Sequence, residues 1–240
     1  MEEQGLQRIP ESVAIILDGN GRWAERHGVP KSLGHAEGCK TLEQIVYDAA
    51  DIGIKVLTVY GFSTENWKRD QLEVGALMTL FRYYVKRLYK VAMEKNVRVR
   101  IIGDKSRFAE DLVEDMEKIE EATKDNDRMT FVAALNYGAR DEIARAVRGI
   151  SMDVASGRLS VSDISESLIS ERLDTAGLPD PDLLIRTSGE MRLSNYLLWQ
   201  LAYTEIYVTD TLWPDFHKEE LLRAVEEYGK RDRRFGGRKK

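Results

Sequence analysis

Residues 13–24 read VAIILDGNGRWA, and this stretch holds the two features that decide the fold. The apolar run from Val13 to Leu17 predicts a buried strand. The DGNG segment after it predicts a loop at the strand's carboxyl end, where open α/β sheets bind their ligands. Outward from this stretch, further apolar runs alternate with segments of helical period. We therefore predict an α/β fold with a mostly parallel sheet.

The predicted architecture is one domain with a central six-stranded sheet flanked by helices. The strands are predicted at Val13–Leu17, Val56–Tyr60, Val97–Ile102, Thr130–Leu135, Leu183–Ile185 and Glu205–Val208. Helices are predicted from Cys39 to Ile52 with Gly53 as a cap, and over Gln71–Lys95, Arg107–Thr123, Ala139–Ala155 and Lys218–Tyr228. Without a repeat or a break in composition, we expect a flexible tail over 1–10, the domain over 11–229 and a basic tail over 230–240.

Composition narrows the class of protein. The 240 residues are 42% hydrophobic and contain one cysteine, so an internal disulfide is excluded and a reducing cytoplasm is expected. No apolar run approaches the about 20 residues of a membrane-spanning helix, so we expect at most peripheral membrane contact. The net charge of −5 gives no reason to expect nucleic acid as a partner. The basic stretches 82–100 and 230–240 are either solvated faces or surfaces that collect phosphates.

The first loop can be interpreted in three ways. Gly19, Gly21 and Ala24 fit the G-x-G-x-x-A pattern of a dinucleotide fold, but the next strand ends without the acid that would hold a ribose. Asp18 would also repel a diphosphate unless a cation lay between them, and Mg²⁺ binds through one or two carboxylates plus phosphate oxygens. The third interpretation is a plain turn, which DGNG also favours.

Cationic side chains on three predicted loops favour the phosphate interpretation. Arginine forks match the geometry of a diphosphate, and two diphosphates could be held at this edge of the sheet. The cations are Arg22, Lys31 and His35 after the first strand, Arg69 after the second, and Arg186 and Arg192 after the fifth.

Seven segments in this order resemble the cis-prenyltransferases, and most closely the bacterial undecaprenyl diphosphate synthases. They are VAIILDGNGRWA (13–24), GH (34–35), YGFSTENW (60–67), RVRIIGD (98–104), NYG (136–138), RTSGEMRLSNYLLWQ (186–200) and LWPDF (212–216). The DDxxD motif of trans-type prenyl synthases does not occur in the sequence. Lys31 and Ser12 depart from the family pattern, which usually has arginine and histidine at these positions.

The resemblance implies a Mg²⁺-dependent enzyme that condenses isopentenyl diphosphate repeatedly onto farnesyl diphosphate. It also implies a homodimer with an R-x-G element at 234–236 and a product such as undecaprenyl diphosphate, the lipid carrier precursor for cell-wall polysaccharide; a different product length stays open. The implied catalytic residues are Asp18 and Asn66, and the implied metal ligands are Asp18 and Glu205. The implied substrate-binding residues are Gly19, Asn20, Gly21, Arg22, Trp23, Lys31, His35, Ser63, Thr64, Glu65, Trp67, Arg69, Arg186, Arg192, Leu193 and Ser194.

The reaction must also remove a proton from the new carbon skeleton. The resemblance assigns proton acceptance to Asn66, yet a neutral amide is a poor base. We therefore expect Asn66 and Ser63 to orient or relay, and a diphosphate oxygen to accept the proton.

A polyprenyl product would need an apolar tunnel inside the domain. Candidates for its lining are Leu42, Ile45, Val46, Leu72, Leu77, Leu80, Phe81 and Tyr84, with Gly61 and Met129 shaping its mouth and depth. Plain core packing is the alternative for each of them. Two other functions remain open: a dinucleotide-binding oxidoreductase and a non-catalytic scaffold subunit, although a scaffold would be expected to lack Asp18 and its glycine loop.

Overall fold

A computed structural model describes residues 8–231, and a six-stranded sheet lies at its centre. The strands are β1 (Ser12–Ile16), β2 (Val56–Ser63), β3 (Val97–Ile102), β4 (Met129–Tyr137), β5 (Leu183–Arg186) and β6 (Glu205–Val208). They lie in the order β3-β4-β2-β1-β5-β6, and every neighbouring pair is parallel. The predicted fold class is confirmed, with a sheet that is wholly rather than mostly parallel.

Helices connect the strands. They are α1 (Asn20–Arg26), α2 (Lys31–Ile52), α3 (Gln71–Lys95), α4 (Glu110–Ala122), α5 (Ala139–Ala155), α6 (Glu166–Glu171) and α7 (Lys218–Gly229). A short 3-10 helix, Thr64–Lys68, follows β2. Gly53 ends α2 with φ of 100°, as the predicted cap requires. Helices α1 and α6 were not predicted, and α4 begins three residues later than expected.

Alternating side chains of the strands form two separate cores, one on each face of the sheet. Val13, Ile15 and Val59 point to the face covered by α2, α3, α4 and α7. Ala14 and Ile16 point to the opposite face, where the chain after β5 and the start of α5 pack. Both faces are covered, which explains why the strands are continuous apolar runs.

The basic stretch 82–100 lies mainly on α3 and faces the acidic helix α4. The Nε of Arg82 lies 2.7 Å from an Asp111 oxygen, and the Nζ of Lys86 lies 3.5 Å from Asp115. These contacts favour the solvated-face interpretation for this stretch over a phosphate-collecting surface.

The two predicted tails lie mostly outside the described residues, and so does the R-x-G element at 234–236. At the described end of the first tail, the guanidinium of Arg8 lies over the ring of Tyr228, 5.2 Å from its centroid. Within residues 8–231 no helix is long and apolar enough to cross a membrane.

Candidate active site

Two adjoining cavities open at the carboxyl edge of the sheet, where the loops after β1, β2 and β5 meet. The larger, about 370 Å³, is bordered at this edge by Asp18, Asn66, Arg186, Arg192 and Ser194, and then by apolar side chains. The smaller, about 360 Å³, is lined by Leu17, Asp18, Gly19, Asn20, Gly21, Lys31, His35, Arg69 and Glu73. The three loops singled out in the sequence therefore meet in one place.

Asp18 follows β1 and is fixed through its backbone. Its N–H donates to Thr187 Oγ1 at 2.9 Å, and its carbonyl accepts from the N–H of Trp213 at 3.0 Å. The carboxylate faces three guanidinium groups, at 2.9 Å from Arg186, 3.4 Å from Arg22 and 4.0 Å from Arg192. This cluster carries a net positive charge, which suits an anionic ligand.

Arg186 is the last residue of β5, and its side chain is 4% exposed. One guanidinium nitrogen donates to Asp18, and the other donates to Ser194 Oγ at 2.9 Å and to the carbonyl of Arg192. The Nε is buried without a hydrogen-bond partner among the described residues. A buried guanidinium with an unused donor at a cavity wall is well suited to bind a phosphate oxygen.

The segment 18–22 packs closely against the loop after β5. Gly19 has φ of 114°, and a Cβ there would lie 2.4 Å from Ser188 Oγ, so both conformation and space require glycine. Arg22 donates to the Ser188 carbonyl at 3.1 Å and lies 3.2 Å from Glu190. Asn20 and Gly21 are not part of a loop but of the first turn of α1.

Asn20 contacts α2 at two glycines. A Cβ on Gly34 would lie 2.2 Å from the Asn20 carbonyl oxygen, and one on Gly38 would lie 2.1 Å from its Oδ1. Gly38 was not predicted, although the spacing of Gly34 and Gly38, one helical turn, indicates the close approach of another element.

His35, Lys31 and Arg69 meet at the smaller cavity. Arg69 donates to Glu73 at 2.8 Å, and His35 Nε2 lies 3.7 Å from the same oxygen. Burial, and after it the charge of Arg69, lowers the pKa of His35 below 6.5. This lowering disfavours the charged form of His35, and its role as a substrate contact stays a prediction. Glu73 was not predicted.

After β2, Ser63 and Asn66 line the larger cavity. The Asn66 Oδ1 accepts from the backbone N–H of Ser63 at 3.0 Å. Glu65 accepts from Thr64 Oγ1 at 3.2 Å and from Asn195 Nδ2 at 3.0 Å, which ties the β2 loop to the β5 loop.

Six predicted substrate contacts are not among the residues that line either cavity: Arg22, Trp23, Thr64, Glu65, Trp67 and Leu193. Trp67 donates to Asn136 Oδ1 at 2.7 Å and packs edge-on against Phe62. Trp23 donates to Asp215 at 2.8 Å, and Leu193 packs against the core on the opposite face of the sheet. These contacts support the site's elements rather than reach into either cavity.

Glu205 is not brought to Asp18 within the chain. It is the first residue of β6 and pairs with Leu183, whereas Asp18 lies beyond the end of β1, where Ile16 pairs with Arg186. In a parallel sheet these positions are at opposite edges. Glu205 instead accepts from Arg231 at 2.9 Å. The two carboxylates predicted to hold one metal therefore do not meet in a single copy.

The donor set at Asp18 still fits Mg²⁺. Among residues 8–231 no group of three ligating side chains is present. Mg²⁺ needs no such group, because it binds through one or two carboxylates and takes its other ligands from phosphates and water. The half-buried Asp18 carboxylate, between cations that could hold the phosphates, satisfies that requirement.

Beyond the polar edge, the larger cavity is apolar. Of the residues predicted to line a tunnel, Leu42, Leu77, Leu80, Phe81, Tyr84 and Gly61 line this cavity. Leu72 is 85% exposed, and Ile45 and Val46 belong to the core, as the packing alternative expected. Met129 is buried at the start of β4 and is not among the lining residues. Cys39, Leu88, Ile119 and Phe131 also line the cavity and were missed, because core and cavity positions share one helical or strand periodicity.

Comparison with known proteins places this geometry in a family. A family model described as putative undecaprenyl diphosphate synthase matches residues 16–236. The isoprenyl transferase of Agrobacterium fabrum is 50% identical, over 95% of this chain and 92% of its own. That of Rhizobium meliloti is 48% identical, over 99% of this chain and 96% of its own.

Solved structures agree. Lavandulyl diphosphate synthase from Lavandula x intermedia, in complex with dimethylallyl diphosphate, has a TM-score of 0.93 at 38% identity, covering 95% of this chain and 98% of that one. A probable undecaprenyl diphosphate synthase from Campylobacter jejuni has a TM-score of 0.78 at 33% identity, covering 95% and 99%. The chain belongs to the cis-prenyltransferase family. It is a prenyl transferase of isoprenoid biosynthesis that acts on isoprenoid diphosphates, so the dinucleotide-binding alternative is wrong.

Proposed function

We propose that this enzyme condenses isopentenyl diphosphate repeatedly with an allylic diphosphate, farnesyl diphosphate being the primer, to give a long cis-polyprenyl diphosphate. The observation that carries the proposal is the division of one cavity into a cationic edge and an apolar interior. An allylic diphosphate has the same division, with a charged head and a hydrocarbon tail. The undecaprenyl product and its use in cell-wall polysaccharide belong to this proposal.

The two diphosphates would occupy different parts of the edge. The allylic group would lie near Asp18, Gly19, Asn20, Gly21 and Arg22, with Lys31, His35 and Arg69 at the smaller cavity. Isopentenyl diphosphate would bind Arg186, Arg192 and Ser194, where the unused Nε of Arg186 supports a phosphate contact. Trp23, Thr64, Glu65, Trp67 and Leu193 would position these groups.

Charge stabilisation would supply most of the rate. When the allylic carbon–oxygen bond ionises, negative charge grows on the leaving diphosphate, and cations already in place stabilise that state more than the ground state. Mg²⁺ held by Asp18 would neutralise diphosphate charge when bound. Glu205 could reach such a site only from a second copy, so its ligand role depends on the proposed homodimer.

Asn66 would orient the reacting groups rather than act as the base. Its Oδ1 already accepts a hydrogen bond from Ser63, and an amide has little affinity for a proton. A diphosphate oxygen, several orders more basic than an amide, would take the proton from the new carbon skeleton.

The remaining proposals concern the cell. We place the enzyme in the cytoplasm, with peripheral contact at the inner membrane face when its apolar product leaves. Nucleic acid has no part in this function.

One assay tests the reaction. The protein is incubated with farnesyl diphosphate, labelled isopentenyl diphosphate and Mg²⁺, and the dephosphorylated products are sized. We expect a ladder that ends in one dominant long polyprenol and disappears on chelation of the metal. No labelled prenyl product would overturn the proposal, whereas a short product would correct only the chain length.

A further inference from the structure

One charged side chain lies in the wall of the apolar part of the larger cavity. Glu43, on α2, lines the cavity beside Leu42, Tyr84 and Leu88. Its Oε2 is buried and has no hydrogen-bond partner within residues 8–231. Burial of an unpaired carboxylate oxygen is costly, so this residue is not explained as a source of stability.

The other oxygen of Glu43 connects the cavity wall to the surface. Oε1 accepts from Arg87 of α3 at 2.8 Å, and Arg87 donates in turn to the hydroxyl of Tyr83 at 3.2 Å. The Arg87 side chain is 46% exposed, whereas that of Glu43 is 22% exposed. The pair therefore bridges α2 and α3, with its negative member at the cavity and its positive member toward solvent.

We infer that Glu43, held by Arg87, limits the length of the product. This inference rests on the proposed function, in which a hydrocarbon tail grows into the apolar cavity. A tail that reaches Glu43 meets a wall that carries a buried charge with one unpaired oxygen. Methylene groups that replace water in the cavity beside this charge would raise its cost without offering a hydrogen bond. Extension beyond this position is disfavoured, and release of the product competes better with another condensation.

A second ion pair between the same helices provides a matched control. Lys95 of α3 donates to Asp51 of α2 at 2.9 Å, with the same separation in sequence as Arg87 and Glu43, and Asp51 also accepts from Arg128 at 2.7 Å. Asp51 is not among the residues that line the cavity. If Glu43 acted only by joining α2 to α3, loss of either pair would have the same consequence.

The experiment compares products of the wild-type enzyme with those of Glu43→Met, Glu43→Gln and the control Asp51→Asn. Methionine is unbranched and close to glutamate in volume, so it changes polarity and adds little room. We expect Glu43→Met to make the wild-type main product a minor one beside longer chains, Glu43→Gln to shift the distribution less, and Asp51→Asn to leave it unchanged. The rate of the first condensation should stay unchanged in Asp51→Asn.

The outcomes separate the two proposals. If the wild type elongates and Glu43→Met gives the wild-type distribution, the inference about Glu43 is wrong and the proposed function stands. The inference about Glu43 is also wrong if Asp51→Asn lengthens the product as much as Glu43→Met does. If the wild type forms no prenyl product, both proposals fall. Melting temperatures of the variants show whether each is folded. If Glu43→Met does not fold, the product lengths of Glu43→Gln, which keeps an acceptor for Arg87, test the inference in its place.

Discussion

The two faces of the sheet are covered differently: one contains a cavity and the other is filled by side chains. On the face of α2 and α3, the strands and helices leave a cavity that begins at charged residues and continues between apolar ones. On the other face, Tyr60 stacks on Tyr196 at 4.4 Å, and Tyr137 meets both rings edge-on at 6.1 Å. The first face is open to a ligand, and the second is filled by aromatic rings.

Both faces of the sheet also hold buried polar groups. Near the cavity, Arg186 Nε and Glu43 Oε2 are buried without hydrogen-bond partners within the described chain. On the filled face, Glu142 accepts from Tyr137 at 2.5 Å, from Gln200 at 3.2 Å and from the N–H of Asp174 at 2.9 Å. Tyr196 Oη and Gln200 Oε1 on the filled face are also buried without partners among the described residues, so the two faces differ in the cavity itself and not in the pairing of every polar group.

The largest expected effect is on activity, at the open face. Asp18→Asn keeps an oxygen that can accept from Arg186 but removes the negative charge, so the site loses its candidate metal ligand. We expect kcat to fall by about 100-fold or more, with little change in the free energy of unfolding. Steady-state kinetics with denaturant unfolding would measure both, and Glu142→Gln is the matched control with unchanged kcat. An Asp18→Asn enzyme with wild-type kcat would contradict the assignment.

A smaller effect, on stability, is expected at the filled face. Glu142→Ala would leave the Tyr137 hydroxyl and the N–H of Asp174 without their acceptor and would leave Gln200 Nε2 with Thr175 alone, which should lower the free energy of unfolding by about 3 kcal/mol. Glu142→Gln, which retains an acceptor, should lose less. Urea unfolding measures the difference, while kcat of the folded fraction should stay within a few-fold of wild type. If Glu142→Ala were as stable as wild type, the support role would be wrong.

The smallest effect is the pH dependence contributed by His35. Burial and Arg69, with Lys31, lower its pKa in the folded state, while Glu73 acts in the opposite direction. Below pH 6.5 the unfolded chain gains a proton at this residue that the folded protein does not, so folding is weakened as pH falls through that value. Unfolding free energies of wild type and His35→Gln, compared from about pH 8 to about pH 5.5, should show the wild type losing more. Parallel curves would exclude a buried neutral His35.

The sequence predicted the elements that have strong periodicity. All six strands and the helix Gln71–Lys95 are confirmed, because long apolar or amphipathic runs determine them locally. Helix α1 was not predicted, because Gly19 and Gly21 favour a loop. Its seven residues are stabilised by the close approach of α2 at Gly34 and Gly38, a contact that a local pattern does not contain.

The site was predictable where strand order alone brings residues together. Asp18 and Asn66 follow a strand and Arg186 ends one, so their meeting at one edge follows from a parallel sheet. Glu205 begins the predicted strand Glu205–Val208, so the same rule already places it at the opposite end of the strands from Asp18, and only the family resemblance made it a metal ligand. The placement of Trp67 depends on its bond to Asn136, a tertiary contact that residue type does not reveal.

The contact between Asp18 and Arg186 pairs two charges of the site with each other at 2.9 Å. On the proposed function, a diphosphate that takes the guanidinium nitrogen bonded to Asp18, and not only the unused Nε, would compete with the carboxylate for it. Asp18 would then lose one of its three cationic neighbours, which favours the binding of a metal cation. We therefore expect the anion and the cation to assist each other's binding, and by thermodynamic reciprocity each would raise the other's affinity by the same factor.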